Sequence, residues 1–168
     1  GSQQYVTKIV SQLESELQLD HRVSRVTRVG GGVDLEFHNG KSEHFDEVVL
    51  ATHADTSLNI IQAPDAEESE LLSAFPYQDN VVTLHTDTRV LPKAQRAWAS
   101  WNYRVRDDAS AATGVTYNMN TLQALDAKHT YCVSLNQHDE LDQDHILRRE
   151  VVRHPLFTPG RDEFQKRH

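Results

Sequence analysis

The fold is decided by one stretch, VSRVTRVGGGVDLEF, at residues 23–37. Its first half is rich in β-branched residues, and residues 33–37 alternate apolar with polar side chains, so both halves are predicted strands. Glycine adopts positive φ at little cost, and Gly30-Gly31-Gly32 between two strands therefore predicts a hairpin. A dinucleotide-binding fingerprint would need G-x-G-x-x-G between a strand and a helix. The glycines are accordingly assigned to a turn and not to a phosphate-binding loop.

The segments on either side complete a first part of the chain. Upstream, Tyr5, Ile9, Leu13 and Leu17 recur at intervals of four, which predicts a helical face. Downstream, Asn39-Gly40 predicts a second tight turn into a third strand at 41–45, giving a β-meander. Residues 47–52, EVVLAT, are apolar without alternation, which is typical of a strand buried on both faces of a parallel sheet.

A second part begins near residue 63. Pro64 breaks any helix, and Asp65 can cap a new one that runs to Phe75. Five predicted strands follow with little helix between them, which favours an antiparallel sheet; they span 81–86, 97–105, 113–119, 129–136 and 146–154. We therefore expect an α+β fold with two domains, residues 1–62 and 63–168. The first holds the helix, the meander and one strand, and the second holds the five-stranded antiparallel sheet.

Composition excludes several classes of protein. The net charge is −8 and no basic patch is present, so neither nucleic acid nor an anionic membrane surface is an expected partner. No apolar run approaches the roughly 20 residues of a membrane span, and no signal-peptide pattern is found, so we expect a cytoplasmic protein. The single cysteine, Cys132, lies in an apolar run and is predicted to be buried. The opening Gly1-Ser2 resembles a cleavage scar, which suggests a truncated chain.

A tempting cluster of metal ligands is HDELDQDH at residues 138–145. Its spacing matches neither two histidines on one helical face nor a calcium-binding loop. A solvated acidic turn between two strands is the favoured interpretation, and no metal site is expected. No G-x-S-x-G elbow supports a serine nucleophile either.

The order of these elements resembles the flavin-containing amine oxidase superfamily, specifically its predicted NAD/FAD-binding bacterial branch. The resemblance extends from Tyr5 to Phe157, and the stretches that carry it are VVLATHAD (48–55), HTDT (85–88), AWASWNY (97–103), VTY (115–117), MN (119–120), LQ (122–123) and HP (154–155). The family's N-terminal G-x-G-x-x-G unit and its final Gly-rich segment are absent from these 168 residues. The chain therefore resembles the middle of such an enzyme, namely the substrate domain with a strip of the FAD domain.

The resemblance implies a function for the parent protein. That protein would be an FAD-dependent oxidoreductase with a small-molecule substrate, and this fragment would be inactive alone and would not retain FAD. The alternative is a non-enzymatic α+β domain that binds a protein partner or a small apolar ligand. Because the strand at 47–52 would lack parallel neighbours here, we also expect its bare edge to promote a homodimer. The sequence does not identify the substrate, the electron acceptor or any catalytic residue.

Four residues are the candidates for contact with FAD. In relatives the residue that begins the first meander strand contacts the adenine through its backbone, and Val23 is the matching position, although it is equally well an ordinary strand valine. Thr52, His53 and Asp55 follow the end of a predicted parallel strand, where ligands collect in α/β sheets. Asp55 can instead cap a helix over 56–61.

Seven residues are the candidates for a substrate-side wall: Trp98, Trp101, Asn102, Tyr103, Tyr117, Asn118 and Asn120. Alternation places Trp101 and Tyr103 on one face of their strand and Trp98 and Asn102 on the other. One face would pack as core and the other would line a pocket with polar tips. Core packing alone is an open alternative for the aromatic residues. No general base is nominated, because in flavin oxidases the isoalloxazine ring supplies the redox chemistry.

Overall fold

The computed structural model describes residues 2–105 and 114–167. As predicted, the fold is α+β, with a three-stranded and a five-stranded antiparallel sheet. Two compact units are present: the first runs up to Tyr77 and resumes at Pro155, and the second is Gln78–His154. The domain division at residues 62 and 63 stays a prediction.

The sheet of the first unit is the predicted meander. Its strands β1 (Val23–Val29), β2 (Gly32–Phe37) and β3 (Ser42–Phe45) are antiparallel neighbours in that order. Gly31 has a φ of 96° in the first turn and Gly40 a φ of 81° in the second, values that other residues rarely adopt. The hairpin interpretation of the glycine cluster is thus confirmed.

The described residues form five α-helices: α1 (Ser2–Val10), α2 (Ala54–Ile60), α3 (Ala66–Ser73), α4 (Met119–Gln123) and α5 (Arg161–Gln165). Asp65 caps α3 as predicted, accepting the Glu68 backbone N–H while the Glu68 carboxylate accepts the Asp65 N–H. Helix α1 ends at Val10, short of the predicted stripe to Leu17. Its apolar side chains are exposed, and so α1 lacks the packing that sustains most helices in water.

The strand predicted at residues 47–52 is wrong. These residues are not part of any sheet in the described chain, and Val49 is 90% exposed. Val48 and Leu50 instead line a cavity of about 220 Å³ together with Val26 and Ile61. A strand requires a neighbour for its backbone hydrogen bonds, and none of the described strands pairs with this segment. The segment therefore alternates between inward and outward side chains without pairing.

The second unit contains the predicted five-stranded antiparallel sheet, in the order β5-β6-β7-β4-β8. Its strands are β4 (Tyr77–His85), β5 (Trp101–Arg104), β6 (Gly114–Asn118), β7 (Cys132–Leu135) and β8 (Ile146–Pro155), of which the first and last begin or end one residue outside the unit. Strand β5 is shorter than predicted, because a 3₁₀ turn over Gln95–Ala97 occupies the start of the expected range. Residue 113, the predicted first residue of the third of these strands, lies outside the described residues.

The register divides the sheet into two unlike faces. On the three inner strands β4, β6 and β7, one face carries five polar side chains and Cys132 that are at most 2% exposed: Thr83, His85, Thr116, Asn118, Cys132 and Ser134. The opposite face is apolar: Val82, Leu84, Trp101, Tyr103, Val115, Tyr117, Val133 and Leu135. The names polar face and apolar face refer to these two sets below.

Two smaller predictions also have outcomes. Cys132 is fully buried, as expected, and burial raises the pKa of its thiol to about 11. Among the helices of the described residues, none has the length and apolar character needed to cross a bilayer.

Candidate functional site

The apolar face presents an aromatic surface at its β5 edge. Trp101 and Tyr103 are 55% and 54% exposed, and their ring centroids lie 6.3 Å apart. Trp101 is the cross-strand partner of Tyr117, and Tyr103 that of Val115. Three of the seven predicted wall residues, Trp101, Tyr103 and Tyr117, are therefore brought together on one half-exposed face. Such a surface can contact an apolar or aromatic group of a ligand.

The three asparagines of the predicted wall lie elsewhere. The amide of Asn102 donates to the carbonyl oxygens of Ala99 and Thr116. Asn118 accepts the Thr121 N–H and caps α4. Asn120 donates to His129 O and accepts the Tyr131 N–H, and these bonds hold the connection into β7.

Trp98 is also engaged locally, since its indole N–H donates to the carbonyl of Pro92 at 2.7 Å. It is half-buried in the segment that precedes β5. The structure thus separates Trp98 and the three asparagines, which make bonds that shape the backbone, from the aromatic side chains that face outward. Whether any of the seven contacts a substrate stays a prediction.

Beneath the aromatic surface, the polar face holds a connected hydrogen-bond chain that sequence reasoning missed. His85 Nε2 lies 2.8 Å from Ser134 Oγ, which lies 2.7 Å from Thr116 Oγ1. Thr116 in turn donates to Gln137 Oε1 at 3.1 Å. Because the Gln137 oxygen can only accept, Ser134 must donate to Thr116 and accept from His85 Nε2–H. In this arrangement of donors, the His85 imidazole carries a proton on Nε2.

Two polar atoms of this layer, His85 Nδ1 and Thr83 Oγ1, make no side-chain hydrogen bond within the described part of the chain. Burial is the main cause that lowers the pKa of His85, and the nearby Asp87 opposes it. The signal in the sequence was the spacing of two residues between Thr83 and His85, and between Cys132 and Ser134, which places each pair on one face of its strand. Alternation reveals two faces but not which of them is covered.

Asp87 lies at the end of this layer and is only 3% exposed. Its carboxylate accepts the Arg89 backbone N–H and two N–H groups of the Arg89 guanidinium, as well as the Asp142 N–H. The hydrogen bond to Arg89 is the largest of the effects that hold the pKa of Asp87 well below its usual range. Asp87 therefore connects the turn after β4 to the turn before β8.

The acidic segment 138–145 lies between β7 and β8, as predicted. It is less solvated than expected, because Leu141 is 5% exposed and the backbone N–H of Asp142 donates to the buried carboxylate of Asp87. Among the described residues, no group of three His, Cys, Asp or Glu side chains has an arrangement that could hold a metal ion.

In the first unit, Val23 begins β1 opposite Phe37, and the register shifts between Val23 and Arg25. The outer edge of β1 is partly covered, since Val26 pairs in parallel with Ile61 and accepts the Gln62 N–H. A polar groove of about 380 Å³ adjoins this edge. The groove is lined by Ser24, Arg25, Asn59, Ile60, Ile61 and Gln62.

The other three cofactor candidates shape the start of α2. Thr52 Oγ1 lies 2.8 Å from Ser57 Oγ, and the His53 ring stacks on Tyr77 with centroids 4.5 Å apart. His53 is the N-cap residue, so Asp55 lies in the first helical turn and does not cap α2 as the alternative had it. An acidic side chain in the first turn is still favourable to the helix dipole.

Comparisons with known proteins place this geometry in a family. The sequence profile of the family described as flavin containing amine oxidoreductase matches residues 1–153. The chain belongs to this family. Comparison with curated protein sequences gives no match.

Two solved structures share the fold. A CLA-producing fatty acid isomerase from P. acnes superposes with a TM-score of 0.59 at 16% identity over 99% of this chain. A candidate protoporphyrinogen oxidase from Exiguobacterium sp. 255-15 superposes with a TM-score of 0.65 at 13% identity, again over 99%. The chain spans 34% of the length of the first and 42% of the second.

Proposed function

We propose that this chain acts as part of a longer FAD-dependent oxidoreductase. In that protein, the five-stranded sheet contributes a wall of the substrate cavity, and the first unit contributes one strip of the cofactor site. The observation that carries the proposal is the half-exposed apolar face in a chain that belongs to a flavin-dependent family. Membership of the family supports the flavin, and the aromatic surface supports the wall.

The polar groove beside β1 fits the adenosine half of FAD better than it fits the flavin ring. Asn59 and Gln62 offer amide groups, and Arg25 offers a positive charge, which suit ribose hydroxyls and a phosphate. Val23 lies at the same edge, where its backbone can contribute to adenine recognition. Thr52 and His53 contribute indirectly, because the Thr52–Ser57 hydrogen bond and the stacking of His53 on Tyr77 hold the start of α2.

When bound, the isoalloxazine ring of FAD would supply the electron transfer, which no side chain of the chain can supply. The residues described here would then bind and orient the substrate and exclude water. Trp101, Tyr103 and Tyr117 would contact its apolar part. We infer that the 168 residues alone neither retain FAD nor turn over a substrate, and that the protein is cytoplasmic.

The decisive experiment compares the 168-residue chain with the protein expressed from its full reading frame. We expect the longer protein to purify with the visible absorption bands of a flavin, and the 168-residue chain to stay colourless after FAD is added and removed by gel filtration. A colourless full-length protein that ignores added FAD would contradict the proposal.

The second candidate is a non-enzymatic domain that binds a protein partner or a small apolar ligand. The exposure of Trp101 and Tyr103 favours it, because large apolar patches on a protein surface commonly mark binding sites. A colourless full-length protein would support this candidate.

Static light scattering tests the separate expectation of a homodimer, which a monomer near the chain mass of 19.1 kDa would contradict.

A further inference from the structure

Next to the aromatic surface, the second unit has a groove of about 330 Å³ along the edge strand β5. One wall is the segment 89–93 and the other is Asn102–Arg104. Among the described residues that line it, three carry positive charge, Arg89, Lys93 and Arg104, and none carries negative charge. This concentration of cations is unexpected in a chain whose net charge is −8.

Two of the cations are held in place by carboxylates outside the lining. Arg89 binds Asp87 through Nε and one terminal nitrogen, and it approaches Asp142 at 3.5 Å. Arg104 is paired with Glu140 through one terminal nitrogen. A guanidinium has five N–H donors, so each arginine keeps donors for a further acceptor. The pairing fixes their geometry while it offsets much of their charge.

Lys93 provides the surplus charge. Its side chain is exposed, and no ion pair of the described residues involves it. Two positioned guanidinium groups and one ammonium without an ion pair among the described residues suit an oxyanion, because charge-assisted hydrogen bonds to carboxylate or phosphate are among the strongest in proteins.

The groove meets the apolar face at Tyr103 of the edge strand β5, whereas Asn102 and Arg104 lie on the opposite face of this strand. Tyr103 lines the groove, belongs to the apolar face and lies beside the Trp101 ring. A ligand with an anionic group in the groove could therefore extend an apolar chain over Trp101. This combination of a cationic groove with an adjoining half-exposed aromatic surface selects an amphipathic anion over a neutral or cationic molecule.

We propose that the groove bounded by Arg89, Lys93 and Arg104 is a subsite for the carboxylate or phosphate group of an amphipathic ligand. The subsite deepens the proposed function, because it identifies the substrate class of the wall. It rests on that proposal only for the identification of the ligand as a substrate. Binding itself requires no flavin, and its failure would leave the flavin proposal intact.

The test is a titration of the 168-residue chain followed by the fluorescence of its two tryptophans. The probes are octanoate, octyl phosphate, octanol and octylammonium, each below its micellar concentration, because they share one alkyl chain and differ in the head group. We expect at least one anion to bind about ten-fold tighter than octanol, with octylammonium the weakest. The tighter anion tells whether the subsite prefers carboxylate or phosphate, and added salt should reduce the preference.

Two variants locate the binding. Lys93→Gln removes the uncompensated charge and should abolish most of the preference for the anion over octanol, while octanol binding stays unchanged. Arg104→Gln should reduce the preference in the same direction. Lys41→Gln, at an exposed lysine of the meander, is the matched control and should bind as the wild type does.

Three results would overturn the proposal. The first is that neither anion binds, and the second is that octanol binds as tightly as both anions. The third is that Lys93→Gln retains the wild-type preference for the anion over octanol. Circular dichroism of each variant ensures that a loss of binding is not a loss of fold, and the unchanged affinity for octanol serves the same purpose.

Discussion

The two faces of the five-stranded sheet differ in the opposite sense from that of most half-buried sheets. In a sheet with one face in water, the apolar side chains usually pack inward and the polar ones face solvent. Here Ser134 and Thr83 are fully buried, whereas Trp101 and Tyr103 on the other face are more than half exposed. The difference teaches that the polar face contributes the buried interior of this unit, and it is consistent with the proposed role of the aromatic residues as a contact surface.

The polar face is stable because most of its polar atoms are paired with one another, Thr83 Oγ1 and His85 Nδ1 being the exceptions. Each buried hydroxyl or imidazole loses hydrogen bonds to water, and the cost of an unpaired buried group exceeds the net gain from an ordinary hydrogen bond. Gln137 closes the layer by accepting from Thr116, and it lies directly against Gly114, where a side chain would overlap it. Changes on the polar face should therefore affect stability more than changes on the exposed aromatic surface.

The largest effect is expected from Asp87→Ala. The substitution removes four hydrogen bonds, three within the turn after β4 and one that connects this turn to the turn before β8. We expect it to lower the free energy of unfolding by about 2–3 kcal/mol. The loss should stay below that of a fully buried ion pair, because the Arg89 side chain is 65% exposed and can be hydrated. Urea unfolding at neutral pH measures it.

The same carboxylate predicts a pH dependence. Because the folded state lowers the pKa of Asp87, its contribution is present above the unfolded value of about 4 and is lost as the pH falls towards the folded value. The free energy of unfolding of Asp87→Ala should depend less on pH than that of the wild type in that range. Asp144→Ala, an exposed acidic residue of the neighbouring turn, is the control and should unfold like the wild type. Equal urea midpoints for Asp87→Ala and Asp144→Ala would contradict the role of Asp87.

A somewhat smaller effect is expected from Ser134→Ala. The change leaves His85 Nε2 without its acceptor and Thr116 Oγ1 without its donor, and it should destabilise the second unit by about 1–3 kcal/mol. A double-mutant cycle with Thr116→Val separates the pair from the rest, and we expect a coupling of about 0.5–1.5 kcal/mol. Additive effects would show that the chain of hydrogen bonds is not formed in solution.

His85 gives the polar face a second pH dependence, distinct from that of Asp87. Burial lowers its folded pKa below the unfolded value of about 6.5, so stability is full above that value and declines as the pH falls. The groups that act on this imidazole are Asp87, which opposes the shift, and His145, which adds to it. We expect the stability of His85→Gln to depend less on pH than that of the wild type as the pH falls below about 6.5. His129→Gln, an exposed histidine of the same unit, should retain the wild-type slope.

The sequence predicts much of the fold because its signals are local. Glycines at Gly31 and Gly40 mark the turns of the meander, and Asp65 with Glu68 marks the start of α3. The strand at residues 47–52 was wrong for a non-local reason. Apolar composition fits a buried strand, but a strand forms only beside a partner, and the composition of a segment carries no information about that neighbour.

The candidate site is harder to predict for a similar reason. Alternation correctly placed Trp101 and Tyr103 on one face, but it does not say which face is covered. The covering of the polar face depends on contacts between distant segments, such as Thr116 with Gln137 and Asp87 with Asp142. The groove with Arg89 and Arg104 likewise joins two segments that no short motif connects.

The smallest effect on stability is expected from the largest side chain on the apolar face. Trp101→Ser should change the free energy of unfolding by less than about 1 kcal/mol, because more than half of the indole is already in contact with water. Val115→Ala on the same face should cost about 1–3 kcal/mol, because Val115 is only 8% exposed and its truncation leaves a cavity. Urea unfolding of both variants measures whether truncating the smaller Val115 costs more stability than truncating the larger Trp101. If Trp101→Ser is the more destabilising change, the aromatic surface is covered in solution, and the contrast between the two faces would no longer hold.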